Sequence, residues 1–357
     1  MEFSNLKNDK IAVLVSGGVD SSVALALLKK AGLNVTAFYL KIWLEDELSY
    51  LGDCPWEEDL EYVQKICTQL EVPLEIVSLQ KEYFAEVVGY TIAEVQKGRT
   101  PNPDVMCNNR IKFGLFLSKV DSSFTKIATG HYAQKIEVDG KFHLKKAPDP
   151  IKDQTYFLAN LSQDQLSRAI FPIGHLLKSE VRALAEEFDL ANKNRKDSQG
   201  ICFLGKLKFR DFLKHYLGEQ EGELIEYETN KVLGSHPGFW YYTIGQRQNI
   251  RLSGGPWFVV KKDPAENKIW VSKNYENIAQ ARDNFEVSEF NWIGELKSLN
   301  EVSVKIRHGE NFYKAKFEVI SKDKAKVLLD QEDQGIASGQ FAVFYENDVC
   351  VGCGVIQ

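Results

Sequence analysis

Three short stretches of the chain carry residue types that could act together in one reaction. The first is Ser16-Gly17-Gly18 followed by Asp20-Ser21-Ser22, which lies between an apolar run and an amphipathic run. Glycines let the backbone approach a ligand closely, and the amides and dipole of a helix N-terminus attract phosphate oxygens. This stretch predicts a phosphate seat. A P-loop NTPase is not indicated, because no lysine stands at the GxxxxGK[ST] position.

The second stretch, residues 98–109, combines a carboxylate with a thiol. Two prolines flank Asn102 and exclude a helix there. Asp104 and Cys107 lie three residues apart, so they can share a face once a helix begins. Two interpretations follow from the spacing, and both stay open. Either the loop holds a catalytic carboxylate and thiol, or Asp104 caps a helix and Cys107 is simply buried.

The third stretch, residues 197–203, contains Cys202 after a glycine and small polar residues. This composition is typical of an accessible, mobile loop, so Cys202 is predicted to be the most reactive thiol of the chain. The chain has six cysteines, and a reducing compartment argues against structural disulfides. Cys54 is interpreted as a loop cysteine, with a third redox thiol as the alternative.

The remaining cysteines are predicted to pack without chemistry. Cys67 lies on the apolar face of a helical pattern and is expected in the core. Cys350 and Cys353 form a CxxC, but no second pair or histidine stands at ligand spacing. We therefore expect a terminal strand and not a zinc site.

The elements that must position these stretches alternate between strand and helix from residue 11 to residue 130. This alternation predicts a doubly wound α/β fold, a parallel sheet with helices on both faces. Ligands of such sheets lie beyond the carboxyl ends of the strands. The segments expected along that rim are 16–22, 40–43, the loop before Cys107 and 130–131.

The rest of the chain changes character twice. A hairpin is predicted at 134–147 around Asp139-Gly140, and an amphipathic helix at 178–188. From about residue 208, short β-runs with Gly, Asn and Pro breaks predict a small central β-rich module. Six alternating runs near the end predict a closed or nearly closed antiparallel barrel. The predicted units are 1–207, 208–278 and 279–357.

Composition limits the class of protein. A length of 357 residues indicates two or three domains, and 44% hydrophobic with 26% charged residues is typical of a soluble globular protein. We expect a cytosolic protein without a membrane partner, since no signal peptide or bilayer-spanning run is visible. A net charge of −6 gives no global positive field, so nucleic acid would need local patches. The candidate patches, each interpreted first as a solvated face, are 193–196, 206–210 and 305–308.

Six motifs occur in order along the chain: SGGVDSS, PNPDVMCN, TGHY, KDQTYFL, DSQGICF and YTIGQR. With them the chain resembles the tRNA-specific 2-thiouridylases over essentially its whole length. Its first loop resembles the pyrophosphate loop of the N-type ATP pyrophosphatases, which implies a sheet of the adenine nucleotide α-hydrolase kind. The resemblance implies ATP-dependent replacement of the C2 oxygen by sulfur at the wobble uridine of tRNAs for lysine, glutamate and glutamine.

The resemblance also implies roles for individual residues. Cys202 would carry a persulfide, Cys107 would release its sulfur by forming a disulfide with it, and Asp104 would be a general acid or base. The implied ATP contacts are Leu14, Val15, Ser16, Gly17, Gly18, Val19, Asp20, Ser21, Leu40 and Gly130. The implied tRNA contacts are Asn102, Pro103, Asp104, His131, Lys152, Asp153, Gln154, Arg307 and His308, the first three facing a flipped-out uridine.

Cofactors and partners follow from the same resemblance. Mg²⁺ should accompany ATP, because the departing pyrophosphate is highly charged. The sulfur donor would be a cysteine desulfurase or a relay protein. Two positions depart from the family pattern. Leu40 stands where methionine is common, a conservative change, and His308 stands where tyrosine or arginine is frequent, which leaves its RNA contact open.

Three other functions fit parts of the sequence. A ligase that adenylates a small molecule would use the first loop, but it would not need Cys107 and Cys202. An iron–sulfur thiolase would bind a cluster through both cysteines and a third ligand such as Asp104, with visible absorbance near 400 nm. A catalytically inactive tRNA-binding module would show no ATP consumption stimulated by tRNA.

Overall fold

The computed structural model describes residues 3–42, 56–197, 208–275, 282–294 and 301–357. In these ranges the chain forms three β-sheets, and most helices pack around the first. The strands are β1 Lys10–Leu14, β2 Asn34–Lys41, β3 Leu74–Ser78, β4 Phe124–Ala128, β5 Ala133–Val138, β6 Lys141–Lys146, β7 Ala169–Ile170, β8 Gly222–Glu226, β9 Val232–His236, β10 Phe258–Asp263, β11 Lys268–Ser272, β12 Arg282–Trp292, β13 Val302–Lys305, β14 Tyr313–Ser321, β15 Lys324–Asp333, β16 Phe341–Glu346 and β17 Val349–Ile356.

The helices are mostly short. The α-helices are Val19–Lys30, Trp56–Gln69, Gln80–Tyr83, Gly89–Gln96, Pro103–Met106, Thr155–Leu158, Gln163–Arg168, Lys178–Glu187 and Phe209–Leu217. Phe84–Val88 and Cys107–Lys112 are π-helical, and Ser4–Leu6, Leu115–Lys119 and Phe239–Tyr241 are 3₁₀ turns. No helix in the described parts of the chain is long and apolar enough to cross a bilayer.

The first sheet is parallel, with strand order β3-β2-β1-β4-β7. β1 and β2 are buried along almost their whole length, which explains their continuous apolar runs and requires cover on both faces. Helices Val19–Lys30 and Trp56–Gln69 pack on one face, and segments 80–96 and 103–119 pack on the other. The predicted doubly wound sheet is confirmed. Because β2 and β4 flank β1, a crevice opens at the carboxyl ends of β1 and β4.

The hairpin predicted around Asp139-Gly140 forms as β5 and β6. It does not join the parallel sheet. β6 instead pairs antiparallel with β17, through Lys145 opposite Val349 and Leu144 opposite Cys350. The N-terminal half of the chain therefore supplies two strands to the sheet built by the C-terminal half, so the two halves are connected by backbone hydrogen bonds.

The C-terminal strands form a closed six-stranded barrel in the order β12-β15-β14-β13-β16-β17, with β17 pairing back onto β12. Burial alternates along β14 and β15, which is the period of the sequence runs that predicted the barrel. Cys350 and Cys353 are completely buried in β17, as expected for packing thiols. Burial raises the pKa of the Cys350 thiol to about 12. The prediction of a closed antiparallel barrel is confirmed.

The central module contains the sheet β10-β11-β8-β9 and the helix Phe209–Leu217. His236 ends β9 with only 2% of its surface exposed, and its Nδ1 accepts a hydrogen bond from the Gly238 amide at 3.1 Å. Burial is the main cause that lowers the pKa of His236 to about 4. The folded module therefore holds this ring neutral at pH values where an unfolded histidine, with a pKa near 6.5, is already protonated.

This difference predicts a pH-dependent stability. The contribution of neutral His236 is complete above about pH 6.5 and is lost as the pH falls toward 4, a change of about 3 kcal/mol in the free energy of unfolding. Urea denaturation followed by tryptophan fluorescence at several pH values should show this decline in the wild type. His236→Gln should show a flatter profile, and parallel profiles would contradict the assignment.

Candidate active site

The loop after β1 is a tight turn onto the helix Val19–Lys30. Gly17 adopts φ +75°, and a Cβ there would come within 2.7 Å of the Asp59 carbonyl oxygen, so both the conformation and the space require glycine. Gly18 is the N-cap, so no side chain caps the helix. Ser21 Oγ instead accepts from the Ser16 amide at 3.2 Å and contacts the Gly18 carbonyl at 3.1 Å. The turn thus directs its helix N-terminus toward the crevice, as a phosphate seat requires.

Gly130 follows β4 and lies directly against this seat. A Cβ at Gly130 would be 2.6 Å from the Ser21 amide nitrogen. Leu40 lies near the carboxyl end of the adjacent strand β2 and is half-buried. The residues predicted to contact ATP therefore lie at the carboxyl ends of β1, β2 and β4: Leu14, Val15, Ser16, Gly17, Gly18, Val19, Asp20, Ser21, Leu40 and Gly130.

A network of ion pairs begins at the seat. The carboxylate of Asp20 accepts hydrogen bonds from Tyr132 at 2.9 Å and from Lys178 at 2.7 Å. Lys178 also pairs with Asp197 at 2.8 Å, and Asp197 pairs with Lys152 at 2.7 Å. Burial alone would raise the pKa of Asp197, but hydrogen bonds from Lys152 and Lys178 outweigh it and hold that pKa below its usual range. Asp197 is therefore an anion that links the nucleotide seat to the predicted tRNA contact Lys152.

The sequence pattern gave no indication of Asn192, which supports the seat from behind. Its side chain is buried and donates to the Gly17 carbonyl at 2.7 Å and to Ser22 Oγ at 3.0 Å. The neighbouring Arg195 pairs with Asp59 beside Gly17. Two charges of the basic patch suggested at 193–196 are thus neutralised within the protein, because Lys193 also pairs with two carboxylates of its own segment.

The loop at 98–109 places its carboxylate in a short helix and its thiol at the start of the turn that follows. Asn102, and not Asp104, caps the helix Pro103–Met106 by accepting from the Val105 amide at 3.2 Å. The suggestion that Asp104 is the cap is therefore wrong, and Asp104 lies half-buried in the first turn. Cys107 opens the π-helical turn and is 1% exposed. π-Helical turns are frequent at functional sites.

The barrel holds this loop in place through Gln340, which the sequence pattern also failed to indicate. The Gln340 amide donates to the carbonyls of Thr100 at 3.2 Å and Pro101 at 3.1 Å, and its oxygen accepts from Asn102 at 3.3 Å. The backbone amide of Thr100 donates to Ser338 at 2.8 Å. A loop of the N-terminal half thus takes its conformation from the C-terminal barrel.

His308 of the barrel packs on the helix Thr155–Leu158. Its ring stacks on Phe157 with 4.5 Å between ring centres and 29° between planes. Burial is the main cause that lowers the pKa of His308, and Lys305 adds to it, while the charges of Asp153 and Asp104 oppose the shift. The stack on Phe157 places His308, a predicted tRNA contact of the barrel, against the motif that also contains Lys152 and Gln154.

Three family models match the sequence: the tRNA methyl transferase HUP domain over residues 9–206, the tRNA methyl transferase PRC-barrel domain over 210–273 and the aminomethyltransferase beta-barrel domain over 282–356. A Parabacteroides distasonis relative, "tRNA-specific 2-thiouridylase MnmA", is 49% identical over 97% of this chain and 98% of its own. Relatives from Porphyromonas gingivalis and Bacteroides thetaiotaomicron with the same printed name, the second as "MnmA 1", are 47% identical over 97% of this chain and 98% and 99% of theirs. The chain belongs to the tRNA-specific 2-thiouridylase family.

The resemblance predicted from the six motifs is thereby confirmed. A likeness to the solved NMN synthetase from Francisella tularensis is much weaker and adds nothing to the assignment. It has 16% identity and a TM-score of 0.37 over 59% of this chain and 74% of that one.

In this member of the 2-thiouridylase family, the predicted tRNA contacts differ in how exposed their side chains are. Arg307 is 44% exposed and makes a two-point ion pair with Asp333 at 2.7 and 2.9 Å. Asp153 is 4% exposed and its carboxylate is occupied inside the protein. A direct RNA contact by the Asp153 carboxylate does not fit this burial.

His131, another predicted tRNA contact in this 2-thiouridylase, is a neutral ring at the rim. Its Nδ1 lies 2.7 Å from Thr129 Oγ1, and Phe113 and Phe171 flank it. Burial, with a smaller effect of Lys112, lowers the pKa of His131 well below its usual value. The ring can therefore offer RNA a hydrogen bond or a stacking face, but not a positive charge.

Two cysteines of the sequence hypothesis, Cys202 and Cys54, lie outside the described residues. The predicted meeting of Cys107 with Cys202 stays a prediction. Cys67 lies in the helix Trp56–Gln69 and is buried, as expected of a core thiol, and burial raises its pKa to about 11.

Proposed function

We propose that this protein uses ATP to activate the C2 oxygen of the wobble uridine of tRNA and replaces that oxygen with sulfur, releasing AMP and pyrophosphate. Relatives that carry the 2-thiouridylase name and align with 97% of the chain support this activity. The observation that carries the proposal is a chain of ion pairs that connects the nucleotide seat to Lys152, a predicted tRNA contact. These ion pairs join Asp20 to Lys178, Lys178 to Asp197 and Asp197 to Lys152.

ATP would bind with its phosphates at the N-terminus of the helix Val19–Lys30. The uridine C2 oxygen attacks the α phosphorus, and pyrophosphate leaves with the electron pair of the broken bond. Mg²⁺ belongs to the substrate in this scheme, since it enters bound to ATP. Among the described residues no group of three His, Cys, Asp or Glu side chains could hold a metal ion. The phosphates would supply most of its ligands, as is usual for Mg²⁺ with nucleotides.

Sulfur would arrive as a persulfide on Cys202, supplied by a cysteine desulfurase or a relay protein. Cys107 attacks this persulfide, and a Cys107–Cys202 disulfide forms as the terminal sulfur departs. That sulfur ends on C2 of the uridine, where AMP is the leaving group. An external thiol reductant then restores both cysteines.

The RNA would lie across the contact between the N-terminal units and the barrel. Asn102, Pro103 and Asp104 face the flipped-out uridine, with Asp104 as the general acid or base. Lys152, Gln154, His131, Arg307 and His308 surround that position, and the expected substrates are the lysine, glutamate and glutamine tRNAs. The three matched family ranges support units of 1–207, 208–278 and 279–357 for ATP chemistry, connection and tRNA contact.

The test is mass spectrometry of unmodified tRNA after incubation with the protein, Mg-ATP, cysteine and a cysteine desulfurase. 2-Thiouridine should appear at the wobble position, together with AMP, and should be absent without ATP. AMP formation without thiolated tRNA, or a requirement for a cluster absorbing near 400 nm, would favour the small-molecule ligase or the iron–sulfur enzyme instead.

A further inference from the structure

A buried ion pair joins the barrel to the N-terminal half of the chain. Lys305, the last residue of β13, is 1% exposed, and its ammonium lies 3.4 Å from the carboxylate of Asp153. The same ammonium lies 4.3 Å from the centre of the Phe312 ring. Lys305 therefore cannot reach an RNA phosphate in this structure, although it belongs to a basic segment of the sequence.

Further hydrogen bonds hold the Asp153 carboxylate in place. The Asp153 carboxylate also accepts from Thr155 Oγ1 at 2.9 and 3.0 Å and from the Ala147 amide at 3.3 Å, and Thr155 Oγ1 lies 3.0 Å from the Tyr345 hydroxyl of β16. Removing two charges from water costs free energy that a buried pair recovers only partly, so such a pair is weak support for stability alone. A better attested role of a buried ion pair is to fix the relative position of the elements that pack around it.

The geometry that this pair specifies is that of the candidate site. Lys305 stands two residues before Arg307 and three before His308, while Asp153 stands between Lys152 and Gln154. The His308 ring stacks on Phe157, with 4.5 Å between ring centres, and Phe157 follows Asp153 by four residues. A shift of Asp153 relative to β13 would therefore separate the two rings.

We propose that Lys305 is a positioning residue, whose ion pair with Asp153 fixes the barrel against the N-terminal half so that His308 is held against Phe157 when tRNA binds. This inference rests on the proposed function. Lys305 thus differs in role from Arg307 and His308, its neighbours in the basic segment. Those residues would contact RNA, whereas Lys305 affects RNA binding only by placing other residues.

The experiment compares Lys305→Met with Lys146→Met. Lys146 lies over the same Phe312 ring at 4.1 Å, but its side chain is 22% exposed and its partner Asp348 is 67% exposed. In Lys305→Met we expect KM for tRNA to rise roughly tenfold, with KM for ATP unchanged. Lys146→Met should stay within about twofold of the wild type, because exposed ion pairs contribute little.

A double variant distinguishes positioning from direct RNA contact. In Asp153→Asn with Lys305→Met the amide oxygen can still accept from Thr155 and no unpaired charge is buried, so KM for tRNA should return toward the wild-type value. Failure of the double variant to recover would assign Lys305 to RNA contact, and equal KM values in wild type and Lys305→Met would also reject the inference. If Lys305→Met and the double variant both lose their near-UV circular dichroism signal, the ion pair serves stability, and the inference is rejected as well. A wild-type protein that forms no 2-thiouridine would reject the proposed function instead.

Discussion

Serine in place of Cys107 is expected to reduce 2-thiouridine formation by roughly 1,000-fold or more while leaving ATP binding intact. The thiol is needed because only sulfur can attack the persulfide and form the disulfide that sets the second sulfur free. Cys107 is 1% exposed at the start of its π-helical turn. Serine is of similar size, so the change removes the chemistry with little change in packing. The assay supplies sulfur through cysteine and a desulfurase, and ATP binding is measured by equilibrium dialysis.

Cys67→Ser is the matched control for this prediction. Cys67 is also buried, at 4% exposure, but burial raises its pKa to about 11, so it remains a protonated thiol near neutral pH. We expect its variant to lose some stability and to keep thiolation within about twofold. Full activity of Cys107→Ser would point to a ligase that uses the nucleotide seat without sulfur chemistry. Equal losses in both variants would show that the thiolation assay reports folding only.

The parts of the fold that could be predicted from the sequence are those specified by local patterns. A strand that is buried on both faces is apolar throughout, as β1 and β2 are. A strand that is buried on one face alternates between apolar and polar residues, as β14 and β15 do. Both patterns can be recognised within a single segment. The turn at Gly17 could also be predicted, because glycines between a buried run and an amphipathic run indicate a tight strand-to-helix turn.

Contacts between distant segments could not be predicted in this way. Nothing in the hairpin sequence specifies that β6 pairs with β17, because an edge strand of suitable alternation fits several partners. The motif containing Asp153 indicated an RNA contact, whereas its carboxylate faces Lys305 from the barrel. Gln340 belongs to no motif, and the motif that contains Phe157 does not indicate a ring partner. Only the packed structure shows these two residues beside Asn102 and His308.

Alanine in place of Gly130 is expected to lower kcat/KM for ATP by roughly 10- to 100-fold. Its Cβ would stand 2.6 Å from the Ser21 nitrogen and 2.8 Å from the Asp20 carbonyl carbon, both backbone atoms. Side chains could rotate away, but these atoms belong to the first turn of the helix that forms the phosphate seat. Overpacking of this kind costs about 1–3 kcal/mol, and here the displacement falls on the amides that would hold the phosphates.

Gly89→Ala provides the comparison for this prediction, because its Cβ would meet only the Phe84 carbonyl oxygen at 3.5 Å, an ordinary contact. Since alanine favours a helix over glycine, this variant should be at least as stable as the wild type and equally active. The diagnostic result for Gly130→Ala is a rise in KM for ATP with KM for tRNA unchanged, because Asp104 and His308 lie on other elements, the helix Pro103–Met106 and the barrel. Unchanged ATP kinetics in a folded Gly130→Ala protein would place ATP elsewhere than at the junction of β1 and β4. The ion pairs from Asp20 to Lys152 would then support the fold and would not connect an ATP site to a tRNA contact.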